Sequence, residues 1–443
     1  MTYPEALAYI ASLEPRGWRL GLDRMAEFVR RTGLEAAVNG TERRYIHVAG
    51  TNGKGSVTAF LQSLLVESGV RTGAFFSPYV VDPRERIQIG REFISKMELA
   101  GITADLRLIA EGMDGTEFSG VTEFEFKTAL GFMAWRRAEV EWVALETGLG
   151  GRLDATNVVT PAATVIVSIG LDHQSILGET VEKIAFEKAG IIKPGVPLVL
   201  GEVPPPAREV ILGVAKRAGS KVWEFGKEVL WEPGRGTVST PAGAFEGLTP
   251  ALQGMWQGHN LSLAVAALAA VGLELSPDAA RFGAASAYAP GRFEKIAWGG
   301  CTLILDGAHN ADSARALAAT LRAESGSGRK VVLLSNMLLG HEPEAFYEPL
   351  VPLVSGAVVP PVEFHRRRAP AETAALLRGL GLEAEVAPSV PAALDRCAEL
   401  AGPGGTILVT GSFYLVGEVA RSACDPTTLR PYDPTTLQPY DPI

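Results

Sequence analysis

Apolar positions along the chain follow two periods, and their alternation predicts its architecture. Through residues 4–40 the side chains of Leu7, Ile10, Leu20, Met25, Phe28 and Val29 recur at helical spacing. An apolar, β-branched run from Tyr45 then ends in a glycine-rich turn that opens into an amphipathic stretch at residues 57–66. That is a strand, a turn and a helix. Short strand-like runs follow at residues 70–76, 140–145 and 163–169, with helical patterns at 122–137, 180–189 and 258–271. Thr122 and Glu125 form a capping-box pair at the start of the first of these helices. Strands alternating with helices at this spacing predict a parallel sheet with crossover helices, and in such sheets ligands lie beyond the carboxyl ends of the strands.

Two other stretches read differently. Residues 79–94 are charge-rich and irregular, which fits either a solvated loop or a lid carrying Arg84 and Arg86 towards an anion. From residue 201 to 254 the chain is Pro-rich, then strand-like and Gly-rich, which predicts a small β excursion. A composition break at residues 289–293 predicts an interdomain hinge. Beyond it the parallel logic repeats, with strands at 302–305, 330–334 and 406–410 and a helix at 313–322. The expected fold class is α/β: a phosphate-loop ATPase domain with a mainly parallel sheet over residues 1–290, and a smaller Rossmann-like α/β domain over 291–424. Residues 425–443 repeat an eight-residue, Pro-rich unit that cannot bury a core and are expected to be flexible or extended.

Composition narrows the class of function. The 443 residues are 47% apolar and 21% charged, an ordinary globular balance for two or three domains. A net charge of -9 argues against a general nucleic-acid or membrane-surface binder. The first residues lack the basic start and apolar core of a signal peptide, and no apolar run is long enough to span a membrane. Three widely spaced cysteines, Cys301, Cys397 and Cys424, suggest neither a disulfide framework nor a zinc site. A reducing cytoplasm is the expected compartment.

The candidate chemistry gathers at predicted strand ends. In Gly50, Thr51, Asn52, Gly53, Lys54, Gly55 and Ser56 the glycines let backbone N–H groups approach a polyphosphate, Lys54 adds a full charge, and Ser56 offers a hydroxyl to a metal ion. The run departs from the usual phosphate-loop spacing, and a plain connecting turn is the competing reading. Glu146 ends one strand, where a carboxylate can receive the same metal ion, and Asp172 and His173 follow another. Lys188 falls in the last turn of its helix, where a cation suits the helix dipole without any further role.

Taken together, the motifs resemble those of the Mur ligase superfamily, and within it the folylpolyglutamate synthase and dihydrofolate synthase branch. The resemblance is carried by H-V-A-G-T-N-G-K-G-S at residues 47–56, E-T-G-L-G-G-R-L-D-A-T-N at 146–157, S-I-G-L-D-H at 168–173, E-K-A-G-I-I-K at 187–193, P-G-R-F-E at 290–294 and D-G-A-H-N at 306–310. It implies an enzyme that uses ATP and magnesium, two ions by the family pattern, to convert a pteroate or folate carboxylate into an acyl phosphate. The amine of L-glutamate then displaces phosphate. Lys54 is assigned by this resemblance to the ATP phosphates, Ser56, Glu146 and His173 to magnesium, and Lys188 to a lysine that the family carbamylates into a further metal ligand. Asn260, Arg292 and Asp306 resemble nucleotide contacts, and His309 stands beside them as a catalytic candidate. Thr122, Phe124, Glu125 and Asp154 resemble the pterin-side neighbourhood, and Ser412 and Tyr414 the glutamate side.

A monomer is implied, because the family cleft lies within one chain. Two departures qualify the match: Tyr79 stands where the family often has His, and residues 335–343 replace a motif usually ending in Asp-Lys-Asp. The altered segment keeps open a relative that joins a different amino acid to a different carboxylate. A non-catalytic nucleotide-binding scaffold is the rival from another class.

Overall fold

The computed structural model describes residues 1–17, 19–325 and 330–423, so the predicted tail at 425–443 lies outside the described residues. The first sheet has eight strands: β1 (Arg44–Ala49), β2 (Thr72–Phe75), β3 (Ile87–Ile89), β4 (Glu92–Phe93), β5 (Trp142–Glu146), β6 (Ala163–Ile166), β7 (Leu198–Leu200) and β8 (Val222–Glu224). Their spatial order is β4-β3-β2-β5-β1-β6-β7-β8. The six strands from β2 to β8 in that order are parallel, while β3 and β4 add an antiparallel edge.

Register decides what meets at the carboxyl edge. Val48 of β1 pairs with Glu146 of β5, and Ala49 pairs with Ile166 of β6. The loop leaving β1 therefore emerges between the ends of β5 and β6. The helix Lys54–Glu67 follows directly and is buried from Gly55 to Leu65. The amphipathic stretch expected at residues 57–66 is therefore covered on all its faces, its Thr58, Gln62 and Ser63 included. Its residues Phe60, Leu61, Leu64 and Leu65 share a core with β1, with Leu261 and Val265 of the helix Gln257–Ala270, and with Ala280 and Ala284 of the helix Pro277–Ala285.

A small antiparallel sheet, β9 (Leu230–Glu232), β10 (Thr237–Thr240) and β11 (Gly243–Phe245), is the predicted β excursion. It occupies only part of residues 201–254, because Pro205–Ala218 is a 14-residue helix. Proline at its first positions masks the helical pattern, although a first turn has no use for those N–H groups. The second large sheet comprises β12 (Glu294–Trp298), β13 (Cys301–Leu305), β14 (Val331–Ser335), β15 (Val354–Val359), β16 (Ala384–Val386) and β17 (Thr406–Thr410), ordered β12-β13-β17-β14-β15-β16. All its pairings are parallel except β12 with β13.

The helix Glu123–Arg137 begins at Thr122 with the predicted capping box. The helix Lys96–Glu111 was not foreseen, and Met97 and Leu108 on its solvent side blur its amphipathic stripe. Residues 79–94 are not a solvated loop. Glu85 is buried and accepts backbone hydrogen bonds from Val80, Val81 and Asp82, while Arg86 is buried and the chain runs on into β3. Arg84 is held by Asp82. Among the described residues no helix is long and apolar enough to cross a membrane.

Candidate active site

A cleft of about 1680 Å³ opens where the carboxyl edge of the first sheet faces the second domain. Its walls include the loop from Thr51 to Ser56, Glu146, His173, Asn260, Arg292, Asp306 and His309. Residues from five of the six quoted motifs, together with Asn260, are thus brought to one place.

The loop is held by Ser168, in the segment that follows β6. Thr51 N donates to Ser168 O at 2.9 Å, and the Ser168 hydroxyl accepts from Asn52 N and donates to Asn52 O, both at 2.9 Å. Gly53 has φ 82°, the left-handed region, and a Cβ there would stand 2.8 Å from Val167 Cγ1. Lys54 lies back along its own loop, its Nζ donating to Gly50 O at 3.0 Å and to Thr51 O at 3.2 Å. Lys188 reaches the same carbonyl, with Nζ 2.9 Å from Gly50 O. Burial pulls its ammonium down to about 7, with the Lys54 charge acting in the same direction. A substantial neutral fraction follows at pH 7.

Glu146 is buried at the end of β5 and accepts a hydrogen bond from Ser77 N at 3.0 Å. Burial raises its pKa against the opposing pull of Lys54. The Ser56 hydroxyl is approached by Gln257 Nε2 at 3.4 Å, and Gln257 Oε1 accepts from Asn260 Nδ2 at 3.0 Å. The His173 imidazole is held down at about 4 by burial, so it is unprotonated at neutral pH.

Across the cleft, Arg292 lies 4.2 Å from the Phe413 ring centroid, and its Nη2 would be 2.9 Å from a Cβ on Gly55. Asp306 is fixed by Phe293 N and Ala308 N, and burial raises its pKa. His309 Nδ1 donates to Gly307 O at 2.8 Å, leaving Nε2 directed to Asp172 Oδ2 at 3.6 Å. His341, from the altered 335–343 segment, places Nδ1 3.8 Å from Asp172 Oδ1. Burial keeps that imidazole neutral as well, at about 4.

The remaining sequence candidates lie outside this cleft wall. Thr122 N, Thr122 Oγ1 and Arg24 Nε all donate to Glu125 Oε2 at 2.8 Å. Asp154 accepts from the backbone N–H groups of Gly148, Leu149 and Thr156 and from the Thr156 hydroxyl, which braces the turn after Glu146. Phe124 packs over Gly148 and lies 6.0 Å from the Phe75 ring. Tyr414 stacks on Phe364 at 3.9 Å, while Ser412 caps the turn through Tyr414 N. Sequence reasoning passed over Ser77, Gln257, Asn310 and His341 as individual site residues. Asn310 lay within a quoted motif, but contacts between residues so far apart leave no local pattern.

Comparison with known proteins places these motifs in context. Residues 291–413 match the family described as Mur ligase, glutamate ligase domain. The chain is 37% identical over 345 residues to the dihydrofolate synthase/folylpolyglutamate synthase of Bacillus subtilis, covering 75% of this chain and 79% of that protein. It is 32% identical over 436 residues to the folylpolyglutamate synthase of Lacticaseibacillus casei, covering 95% and 99%. Among solved structures, Escherichia coli FolC in complex with DHPP and ADP superposes with a TM-score of 0.84 at 32% identity, covering 95% of this chain and 97% of that one. Mycobacterium tuberculosis folylpolyglutamate synthase complexed with ADP gives 0.86 at 29% identity, covering 95% and 98%.

Proposed function

The chain belongs to the folylpolyglutamate synthase/dihydrofolate synthase family of Mur-type glutamate ligases, and from that premise we propose how its own residues divide the work. It is an ATP-dependent ligase that adds L-glutamate to dihydropteroate, to folates, or to both, through an acyl phosphate. A carboxylate is a poor acyl donor until phosphorylation supplies a leaving group, after which an amine can displace phosphate without a covalent enzyme intermediate.

In this reading the backbone of residues 50–56 cradles the phosphates, with Lys54 turning from its loop carbonyls to meet them. Asn260, Arg292 and Asp306 complete the nucleotide site, Arg292 bringing positive charge from the second domain. His309, its Nδ1 proton committed to Gly307 and its Nε2 directed to Asp172, would act on the reacting groups by turning Nε2 from that carboxylate.

A magnesium ion fits the donor set as a ligand shared with the nucleotide. Among the described residues no cluster of three or more His, Cys, Asp or Glu side chains is arranged to hold a metal by itself, and magnesium is commonly bound by one or two carboxylates together with substrate phosphates. Glu146, the Ser56 hydroxyl and the unprotonated His173 would hold it, and when bound it neutralises charge on the transferring phosphoryl group. Lys188, partly neutral because it is buried, suits carbamylation, which needs the free amine.

The observation that carries the proposal is the direct meeting of second-domain side chains with the phosphate loop, Arg292 at Gly55 and Asn310 at Asn52. A scaffold has no need of that meeting. The test is phosphate release with ATP, magnesium and L-glutamate, comparing dihydropteroate, tetrahydrofolate and no acceptor, with products identified by mass. Release with both acceptors and a gain of one glutamate establishes a bifunctional enzyme. Dihydropteroate alone makes it a dihydrofolate synthase, and silence with both turns attention to the altered segment around His341 and another substrate.

A further inference from the structure

Arg86 is 7% exposed, yet its Nε and Nη1 have no hydrogen-bond partner. Among the described residues no carboxylate lies within ion-pairing distance of it. Its guanidinium lies 5.6 Å from the ring centroids of both Phe75 and Phe124. Those π-faces attract a cation but leave its N–H donors unsatisfied. Burial lowers its pKa, and Glu123, paired with Lys127, and Glu146 act on it only from beyond ion-pairing distance. A buried charge without a directly paired anion is costly.

A second cation stands beside it. Lys127 is paired with Glu123 and sits 5.9 Å from the Tyr79 ring centroid. Burial, and next the Arg86 charge, pull its ammonium down to about 8. Tyr414 adds a phenol from the second domain, within electrostatic range of both Arg86 and Tyr79.

The location ties this cluster to the chemistry. Phe76 N donates to Arg86 O at 3.0 Å, and the next residue, Ser77, donates its N–H to Glu146. Arg86 does not line the nucleotide cleft, whose wall includes Ser77 and Glu146. The backbone of Arg86 thus lies close to the strand end that carries Glu146, and the Glu146 charge acts on its guanidinium.

We propose that Arg86, with Lys127 beside it, is the binding site for a substrate carboxylate, Arg86 donating Nε–H and Nη1–H to its two oxygens. The proposal rests on the ligase reading above. Two sources share this chemistry, the carboxyl end of the pteroate or folate substrate and the α-carboxylate of L-glutamate. A planar fork of two donors matches either.

The test measures KM for each substrate and calorimetric binding of L-glutamate and of dihydropteroate to the ADP-loaded protein, in the natural chain, Arg86→Gln, Arg86→Lys and Lys127→Met. Arg86→Gln is expected to raise KM and weaken binding for one carboxylate substrate by roughly 10- to 100-fold, the worth of a charged hydrogen-bond pair. Arg86→Lys should recover part of the loss, Lys127→Met should give a smaller shift in the same substrate, and ADP affinity should stay within about twofold of the natural chain's. The substrate that moves identifies the source. Should the natural chain bind a carboxylate that Arg86→Gln loses, yet turn over no acceptor, the ligase reading fails and the anion site stands. Unchanged KM and binding for both substrates in a folded Arg86→Gln protein, or no carboxylate binding by the natural chain, overturns the proposal.

Discussion

Asn52 of the phosphate loop and Asn310 of the second domain exchange side-chain hydrogen bonds, Asn52 Nδ2 donating to Asn310 Oδ1 at 3.2 Å and Asn310 Nδ2 donating to Asn52 Oδ1 at 3.1 Å. Asn310 Nδ2 also donates to Asp172 Oδ2 at 3.0 Å. Burial disfavours charge on Asp172, but His309, His173 and His341 together outweigh it and keep the carboxylate well below the usual range. One amide thus joins two strand-end loops of the first domain to the start of a second-domain helix. Both domains contribute side chains to the cleft, and this contact ties them together at its edge.

Asn310→Ala removes these three bonds and a fourth, the one that Asn310 Oδ1 accepts from Ser313 N at 2.9 Å. At about 1 kcal/mol each before any compensation by water, the expected outcome is a fall of at least roughly tenfold in acceptor-dependent phosphate release. ADP affinity should change less, since most of the phosphate cradle belongs to the loop itself. Steady-state kinetics with parallel calorimetry checks this, and small-angle scattering should show a wider spread of domain separations. Equal losses in ADP affinity and turnover would instead mean that Asn310 serves the nucleotide alone.

Lys188 offers a chemical signature independent of rate. If the lysine is carbamylated, intact mass measured gently in bicarbonate buffer should show a gain of one carbon dioxide that Lys188→Ala lacks. Activity of Lys188→Ala is expected to fall by roughly 10- to 100-fold or more, as for loss of a group that supports a metal site. Partial rescue of that variant by a short carboxylic acid would mark the missing group as a carboxylate. Full activity in Lys188→Ala would return the residue to its helix-end role.

What could be read in advance follows from how local the physics is. The phosphate loop, the capping box at Thr122 and the parallel strands each depend on neighbours within a few residues, so their patterns stand in the sequence. Placing Glu146 and His173 beside Lys54 needed only the rule that such sheets bind at their carboxyl edge. The helix Pro205–Ala218 was hidden by its prolines, and residues 79–94 by charges that turn inward rather than outward. Neither the clasp of Asn52 on Asn310 nor the isolation of Arg86 has a local signature, because both depend on which distant side chains the fold delivers.

His47 should make the protein acid-sensitive. It is fully buried in β1, and its Nε2 lies 2.8 Å from Thr156 Oγ1, whose own proton goes to Asp154. The ring therefore donates through Nε2, and burial holds it neutral with a pKa lowered to about 3. The unfolded chain takes up a proton near pH 6.5 and the native chain does not, so stability falls as pH drops from 6.5 towards 3. The slope is about 1.4 kcal/mol per pH unit for one such group, or about 2 kcal/mol between pH 6.5 and 5. Urea unfolding at a series of pH values should show a smaller loss in His47→Asn than in the natural chain by about that amount. An identical pH slope in the two proteins would mean that His47 is protonated in the fold.

Two glycines of the phosphate loop should fail in different ways when given a methyl group. At Gly53 the backbone is left-handed, with φ 82°, and the new Cβ would stand 2.8 Å from Val167 Cγ1 and 2.9 Å from Asn260 Oδ1. Both the backbone and a tightly held neighbour resist, so Gly53→Ala is expected to lower stability by about 1–2 kcal/mol or more and to abolish ADP binding. At Gly55 the helical backbone accepts alanine, and the nearest atom is Arg292 Nη2 at 2.9 Å, the far end of a flexible side chain. Gly55→Ala should keep its stability within about 1 kcal/mol while pushing the guanidinium aside. Its turnover should then fall more than its ADP affinity, since the displaced charge comes from the second domain. Thermal unfolding, calorimetry and phosphate release on the two variants separate the cases. Should Gly55→Ala lose stability as Gly53→Ala does, Arg292 is held too firmly to yield and braces the loop as well as facing the nucleotide.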